Sequence, residues 1–122
     1  MRLPGGERAV VDAAKVRDYL LSLEHPVGRT KARFFAALGF TRAEWPALRR
    51  ALLELAASGE ATPTTPTEST RFGQKYVVRG TIRGPAGRAA GVLSAWIVLA
   101  GEDFPRLVTA YPDPGSTPGA AA

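Results

Sequence analysis

Cysteine is absent from the 122 residues, which excludes disulfides, thiolate nucleophiles and cysteine-built zinc sites. Histidine occurs once, as His25, so multi-histidine metal sites and Ser-His-Asp chemistry have almost nothing to work with. The eleven acids are scattered, and none falls between Ser69 and Gly101, which argues against a pair of carboxylate-held Mg²⁺ ions. Neither a metal nor a cofactor is expected. No apolar run approaches the ~20 residues that cross a bilayer, and the opening Met-Arg-Leu-Pro-Gly-Gly-Glu-Arg has no apolar stretch of the secretory kind. The expected site of action is the cytoplasm, with no membrane partner. Large apolar side chains are also scarce: 45% of residues are hydrophobic, but 21 of the 122 are alanine. That suffices for one small core and one domain.

What is abundant is arginine. Thirteen of the sixteen cations are Arg, and the net charge is +5. Most of that bias is what a GC-rich coding sequence produces, as the many Ala, Gly and Pro also suggest. The distribution of charge is more telling. Arg71, Lys75, Arg79, Arg83 and Arg88 fall in the acid-free stretch, while His25 to Arg50 carries six cations and one acid, Glu44. Two basic segments favour a polyanionic partner, either nucleic acid or an acidic protein.

The chain changes periodicity once. Residues 9–59 follow a helical pattern and residues 72–112 a strand pattern. A first helix is expected from Asp12, its N-cap, to Leu23, with Val16, Leu20 and Leu23 on one face. Pro26 and Gly28 break it. A second helix is expected over Thr30–Leu38, with Phe34, Phe35 and Leu38 inward and Gly39 as terminator. Thr41 and Glu44 form a capping box for a third helix running to Gly59, with Phe40 and Trp45 as a hydrophobic staple and Leu48, Leu52 and Leu55 as the stripe. Glu60 to Arg71, rich in Thr and Pro, reads as an exposed connection or a sheet edge. Strands follow over Gln74–Arg83, Ala89–Ala100 and Arg106–Tyr111, linked by short turns. The expected architecture is α+β: about three N-terminal helices packed on one face of a three- or four-stranded antiparallel meander. Residues 1–6 and 113–122 read as disordered tails around a single domain over 7–112.

Alternation on the first long strand puts Lys75, Arg79 and Arg83 on the face opposite Tyr76 and Ile82, predicting a basic sheet surface. His25 is the side chain suited to proton transfer near neutrality; the competing reading is a solvent-exposed or capping histidine before a proline turn. Lys31, in the first turn of a helix, opposes the macrodipole, the kind of local conflict that functional residues show, though a lysine reaching into solvent fits equally. Gln74, Lys75, Thr109 and Tyr111 are polar groups on strands, with Leu107, Thr109 and Tyr111 expected to share a face. Trp96 reads as core.

His25-Pro26-Val27-Gly28-Arg29-Thr30-Lys31-Ala32-Arg33-Phe34-Phe35, Phe72-Gly73-Gln74-Lys75-Tyr76, Trp96-Ile97-Val98 and Val108-Thr109-Ala110-Tyr111-Pro112 together resemble a family of small bacterial domains of unknown function. That family is similar to standalone toxin-like proteins and to the C-terminal tips of polymorphic toxins. Its layout is similar to the barnase–EndoU–colicin–RelE group of RNase toxins. The resemblance implies a site of His25, Lys31, Gln74, Lys75, Thr109 and Tyr111; Arg29, Arg33, Arg71, Arg79, Arg83 and Arg106 are further candidates for binding RNA phosphate. Two functions follow as expectations. One is a metal-independent endoribonuclease toxin, acting on an RNA substrate and held in check by a small acidic antitoxin or immunity protein. The other is a non-catalytic partner-binding module that uses the basic sheet face.

Overall fold

Asp12 begins the first helix as its N-cap, accepting the Ala14 N–H at 2.9 Å. The helix, α1, opens as an α-turn over Ala13–Lys15 and continues as a π-helix over Val16–Leu20, where the Leu21 N–H reaches the Val16 carbonyl at 3.0 Å. A regular α-helix would carry Leu21 away from the core. The wider π turn keeps Val16, Leu20 and Leu21 in one buried sector. The computed structural model describes residues 1–22, 29–64 and 72–114, with the backbone alone for Arg29. The expected helical residue Leu23, the candidates His25 and Arg71, and the Arg29 side chain therefore lie outside the described residues.

The second helix, α2, spans Arg29–Ala37. Its end is a glycine device: Gly39 takes φ 97°, and the Phe40 N–H returns to the Phe35 carbonyl at 3.0 Å. Phe35 and Leu38 are buried, and Phe34 packs against the same core. The third helix, α3, spans Trp45–Ser58. The capping box is half formed. Thr41 Oγ1 accepts the Glu44 N–H at 3.2 Å, but regular helix starts only at Trp45, with Pro46 in its first positions where a missing N–H costs nothing. Phe40 is buried and Trp45 partly so, and Leu48, Leu52 and Leu55 form the inward stripe.

Four antiparallel strands follow in the order β1-β2-β3-β4: β1 Glu60–Pro63, β2 Gly73–Arg83, β3 Ala89–Leu99 and β4 Pro105–Pro112. β1 is the edge that a proline-bearing segment can form. The register sets Tyr76 opposite Trp96 and Val78 opposite Ser94. Val78, Ile82, Val92 and Trp96 join the helical side chains in one core. The fold is thus α+β, with helices before strands and packed on the even-numbered face of β2 and β3. Trp96 is fully buried, its indole N–H donating to Ser94 Oγ at 2.8 Å while Ser94 donates to the Val78 carbonyl at 3.2 Å.

Alternation fails on β4. A bulge sets Val108 and Thr109 against Ala95, between the pairs Leu107–Trp96 and Ala110–Ser94. Leu107 and Ala110 both enter the core, so Leu107, Thr109 and Tyr111 do not share a face. One extra residue on the strand shifts the period.

Within the expected tails, Leu3, Gly6 and Asp113 are packed, while residues 115–122 lie outside the described residues. Leu3 is a core residue, the Met1 carbonyl accepts from Ala61 N–H at 2.8 Å, and the 3-10 turn Gly6–Arg8 lies against α3. Gly6 is needed there, since a Cβ would collide with the Ala56 carbonyl. Asp113 is buried and its N–H pairs with the Gly91 carbonyl at 3.0 Å.

Candidate functional site

Lys31 stands in the first turn of α2 and reaches across to two other elements. Its Nζ donates to Tyr19 Oη at 2.6 Å and to Thr109 Oγ1 at 2.9 Å, and lies 4.8 Å from the centre of the Tyr19 ring. Tyr19 comes from the π-helical part of α1 and Thr109 from the bulge of β4, so the two irregularities of the fold meet at one lysine. All three side chains are half-buried. Lys15, one turn before Tyr19, places a second ammonium 5.9 Å from the same ring. Among the described residues no carboxylate pairs with Lys31. The short bond from Lys31 holds the Tyr19 phenol below its ordinary range, with the Lys31 charge, the Thr109 hydroxyl and Lys15 acting the same way and partial burial acting against them.

An ammonium has three N–H donors. Lys31 spends two on hydroxyl oxygens and keeps one for an incoming anion. The cluster thus offers a cation, a phenol held below its ordinary range, and a hydroxyl that can donate or accept. Those groups suit phosphate recognition and proton transfer. Lys31 and Thr109 were legible candidates; Tyr19 was not. Its position beside the Val16–Leu20 stripe is that of an ordinary amphipathic helix residue, and the one hint is a lysine four residues earlier.

Of the other described candidates, Lys75 lies apart from Thr109, while Tyr111 is two residues from it on β4. Lys75 is on the opposite face of β2 from Tyr76, in register with Ile97 and, across it, Arg106. Two strands and two residues separate it from Val77's partner row, which ends at Thr109; sheet spacings make that roughly 12 Å between backbones. Gln74 turns onto its own strand, Nε2 donating to the Lys75 carbonyl at 2.9 Å. Tyr111 sits in the row Arg79–Leu93–Tyr111.

Several of the expected phosphate-binding arginines have partners within the chain. Arg79 Nε is 3.2 Å from Asp113 Oδ2. Arg83 donates to the Gly87 carbonyl at 2.6 Å. Arg106 makes a two-pronged pair with Glu102 at 2.9 Å and stacks 5.0 Å from the Phe104 ring. Arg33 is exposed on α2. The sheet face opposite the helices is therefore basic in composition, but part of its charge is spent internally. A cavity of about 310 Å³ beside α2, lined by Leu21, Ala32, Ala36, Phe40 and Arg42 among others, contains none of the candidate residues. No described helix is long and apolar enough to cross a membrane.

The family described as "Domain of unknown function (DUF6883)" matches residues 2–114. No curated protein matches the chain. Among solved structures, the fold is similar to that of a chain in a contact-dependent growth inhibition toxin–immunity protein complex from Klebsiella pneumoniae 342. The TM-score is 0.67 at 22% identity, covering 89% of this chain and 97% of that one. A likeness at that identity establishes shared architecture.

Proposed function

The chain belongs to the DUF6883 family, and from that premise we propose that it is a metal-independent endoribonuclease toxin, cleaving RNA through its own 2′-hydroxyl and neutralised by a cognate acidic antitoxin or immunity protein. The observation that carries this reading is the meeting of Lys31 with Tyr19 and Thr109, with no acid paired to Lys31 among the described residues. A ribonuclease of this kind needs a cationic clamp on phosphate and proton-transfer groups, and no metal. The likeness to a chain of a toxin–immunity complex supports the toxin or immunity side and a protein partner.

In this reading Lys31 stabilises the charge that develops on the phosphorane, and Thr109 orients a phosphate oxygen. His25, four residues before the helix that carries Lys31 begins at residue 29, is assigned to the same phosphodiester. Lys75, Arg79 and Tyr111, on the far face of the sheet, are assigned to the flanking RNA backbone, with Gln74 at the head of β2. Arg33, and the side chains of Arg29 and Arg71, would extend that track.

Expression in a host without the partner should arrest growth, and His25→Ala or Lys75→Ala should relieve the arrest. RNA degradation by the purified protein should persist in EDTA. Equal growth of wild type and both variants would end this reading. The second reading, a non-catalytic docking module, is favoured by the row of Lys75, Arg79 and Arg83 on the face without helices. It predicts a tight complex with an acidic protein, intact RNA and indifference to His25→Ala.

A further inference from the structure

Tyr19 was outside every expectation drawn from the chain, yet it makes the shortest side-chain contact of the cluster. We propose that its phenol oxygen is the general base of the site, taking the proton of an RNA 2′-hydroxyl, and that the Lys31 ammonium is the acid that protonates the departing 5′-oxygen. The proposal rests on the ribonuclease reading and names the groups that move protons within it.

The step balances without outside reagents. The 2′-oxygen gives its proton to the Tyr19 oxygen and bonds to phosphorus. The bond from phosphorus to the 5′-oxygen breaks, and that oxygen receives a proton from Lys31 Nζ. The products are a 2′,3′-cyclic phosphate and a 5′-hydroxyl, with Tyr19 protonated and Lys31 neutral. Tyr19 Oη and Lys31 Nζ are 2.6 Å apart, so one proton passing from the phenol to the amine restores both groups. Thr109 Oγ1, 2.9 Å from the same nitrogen, fixes the ammonium between its two oxygens. Among the described residues, the groups that lower the phenol are Lys31 from α2, the Thr109 hydroxyl from β4 and Lys15 from α1, and none of these is acidic. Each cation favours the phenolate, the form a base requires.

The arrangement separates a proton-giving lysine from a merely cationic one. Arginine preserves charge and hydrogen bonding but does not release its proton in proteins. With a single-stranded RNA oligonucleotide in EDTA, wild type should cleave at a rate that rises with pH as Tyr19 ionises. Tyr19→Phe, which keeps the ring, should cleave about 100-fold more slowly or worse and lose that rise. Lys31→Arg should bind the RNA and cleave with a comparable loss. An absorbance titration of wild type against Tyr19→Phe should show one phenol ionising below the ordinary tyrosine range, moved upward in Lys31→Met. If wild type cleaves and Tyr19→Phe keeps the pH-dependent rise, or if Lys31→Arg cleaves normally, the base–acid pair is wrong and the ribonuclease reading survives. A Tyr19 that titrates as an ordinary tyrosine also overturns it. If wild type leaves the RNA intact, both readings fall together.

Discussion

Ser94 illustrates how much one small side chain can hold. It is fully buried, receives the Trp96 indole N–H and satisfies the Val78 carbonyl. Ser94→Ala leaves both groups without that partner inside the core, where an unsatisfied buried group costs about 1–3 kcal/mol. Chemical denaturation should show a loss of that size with the slope of the transition unchanged. At the same scale, the sequence named Lys31 through its conflict with the helix dipole, and Thr109 through its strand position. It did not name Tyr19, because a tyrosine on the flank of an apolar stripe is indistinguishable from a core-edge aromatic. Only the folded geometry brings its oxygen to Lys31. It also gave no sign that Arg79, Arg83 and Arg106 would be drawn to Asp113, Gly87 and Glu102, since those pairings follow from the turns and the sheet register.

At the scale of elements, periodicity placed the second helix and the three long strands within a residue, while the first helix ends at Leu20, short of the expected Leu23, and the third begins at Trp45, three residues past the start implied by its Thr41 cap. What it missed were departures from regular winding. The π turn of α1 and the bulge of β4 exist because Leu21 and Ala110 must reach the core, a demand set by neighbouring elements rather than by local pattern. The docking of α1 has its own clamp: Asp18 Oδ1 accepts from Arg42 at 2.9 Å, while Arg17 donates to both carboxylate oxygens. Those hydrogen bonds, first from Arg17 and then from Arg42, hold the Asp18 carboxyl well below the usual carboxylate range. Because the folded value is depressed, the clamp contributes fully above the unfolded value of ~3.9 and is lost as pH falls through the folded one. Thermal melts of wild type and Asp18→Asn should therefore differ at neutral pH, with the difference starting to shrink below about pH 4 and closing only in strong acid, beneath the folded value. A second element-level test is Gly39→Ala. Gly39 combines a left-handed φ with a Cβ position occupied by the Ala86 backbone, so the substitution should destabilise by more than ~1 kcal/mol in urea unfolding.

For the whole molecule, every strand neighbours the next one in sequence, and the helices precede them all. That order was legible from short turns and a single switch of periodicity. The grouping of Lys31 with Thr109 was not, because the two lie 78 residues apart and belong to segments of different pattern. The sheet face predicted to be basic is present, and the register places Thr109 in its row Val77–Ala95–Thr109, next but one to the row Arg79–Leu93–Tyr111.

The tie between the second helix and the final strand also dates the appearance of the cluster during synthesis. A nascent chain that has left the ribosome only as far as the third strand possesses the lysine and the phenol but lacks the hydroxyl that pins them. Whatever this constellation does begins when the last strand closes the sheet, so a translation product cut short before β4 lacks the assembled cluster.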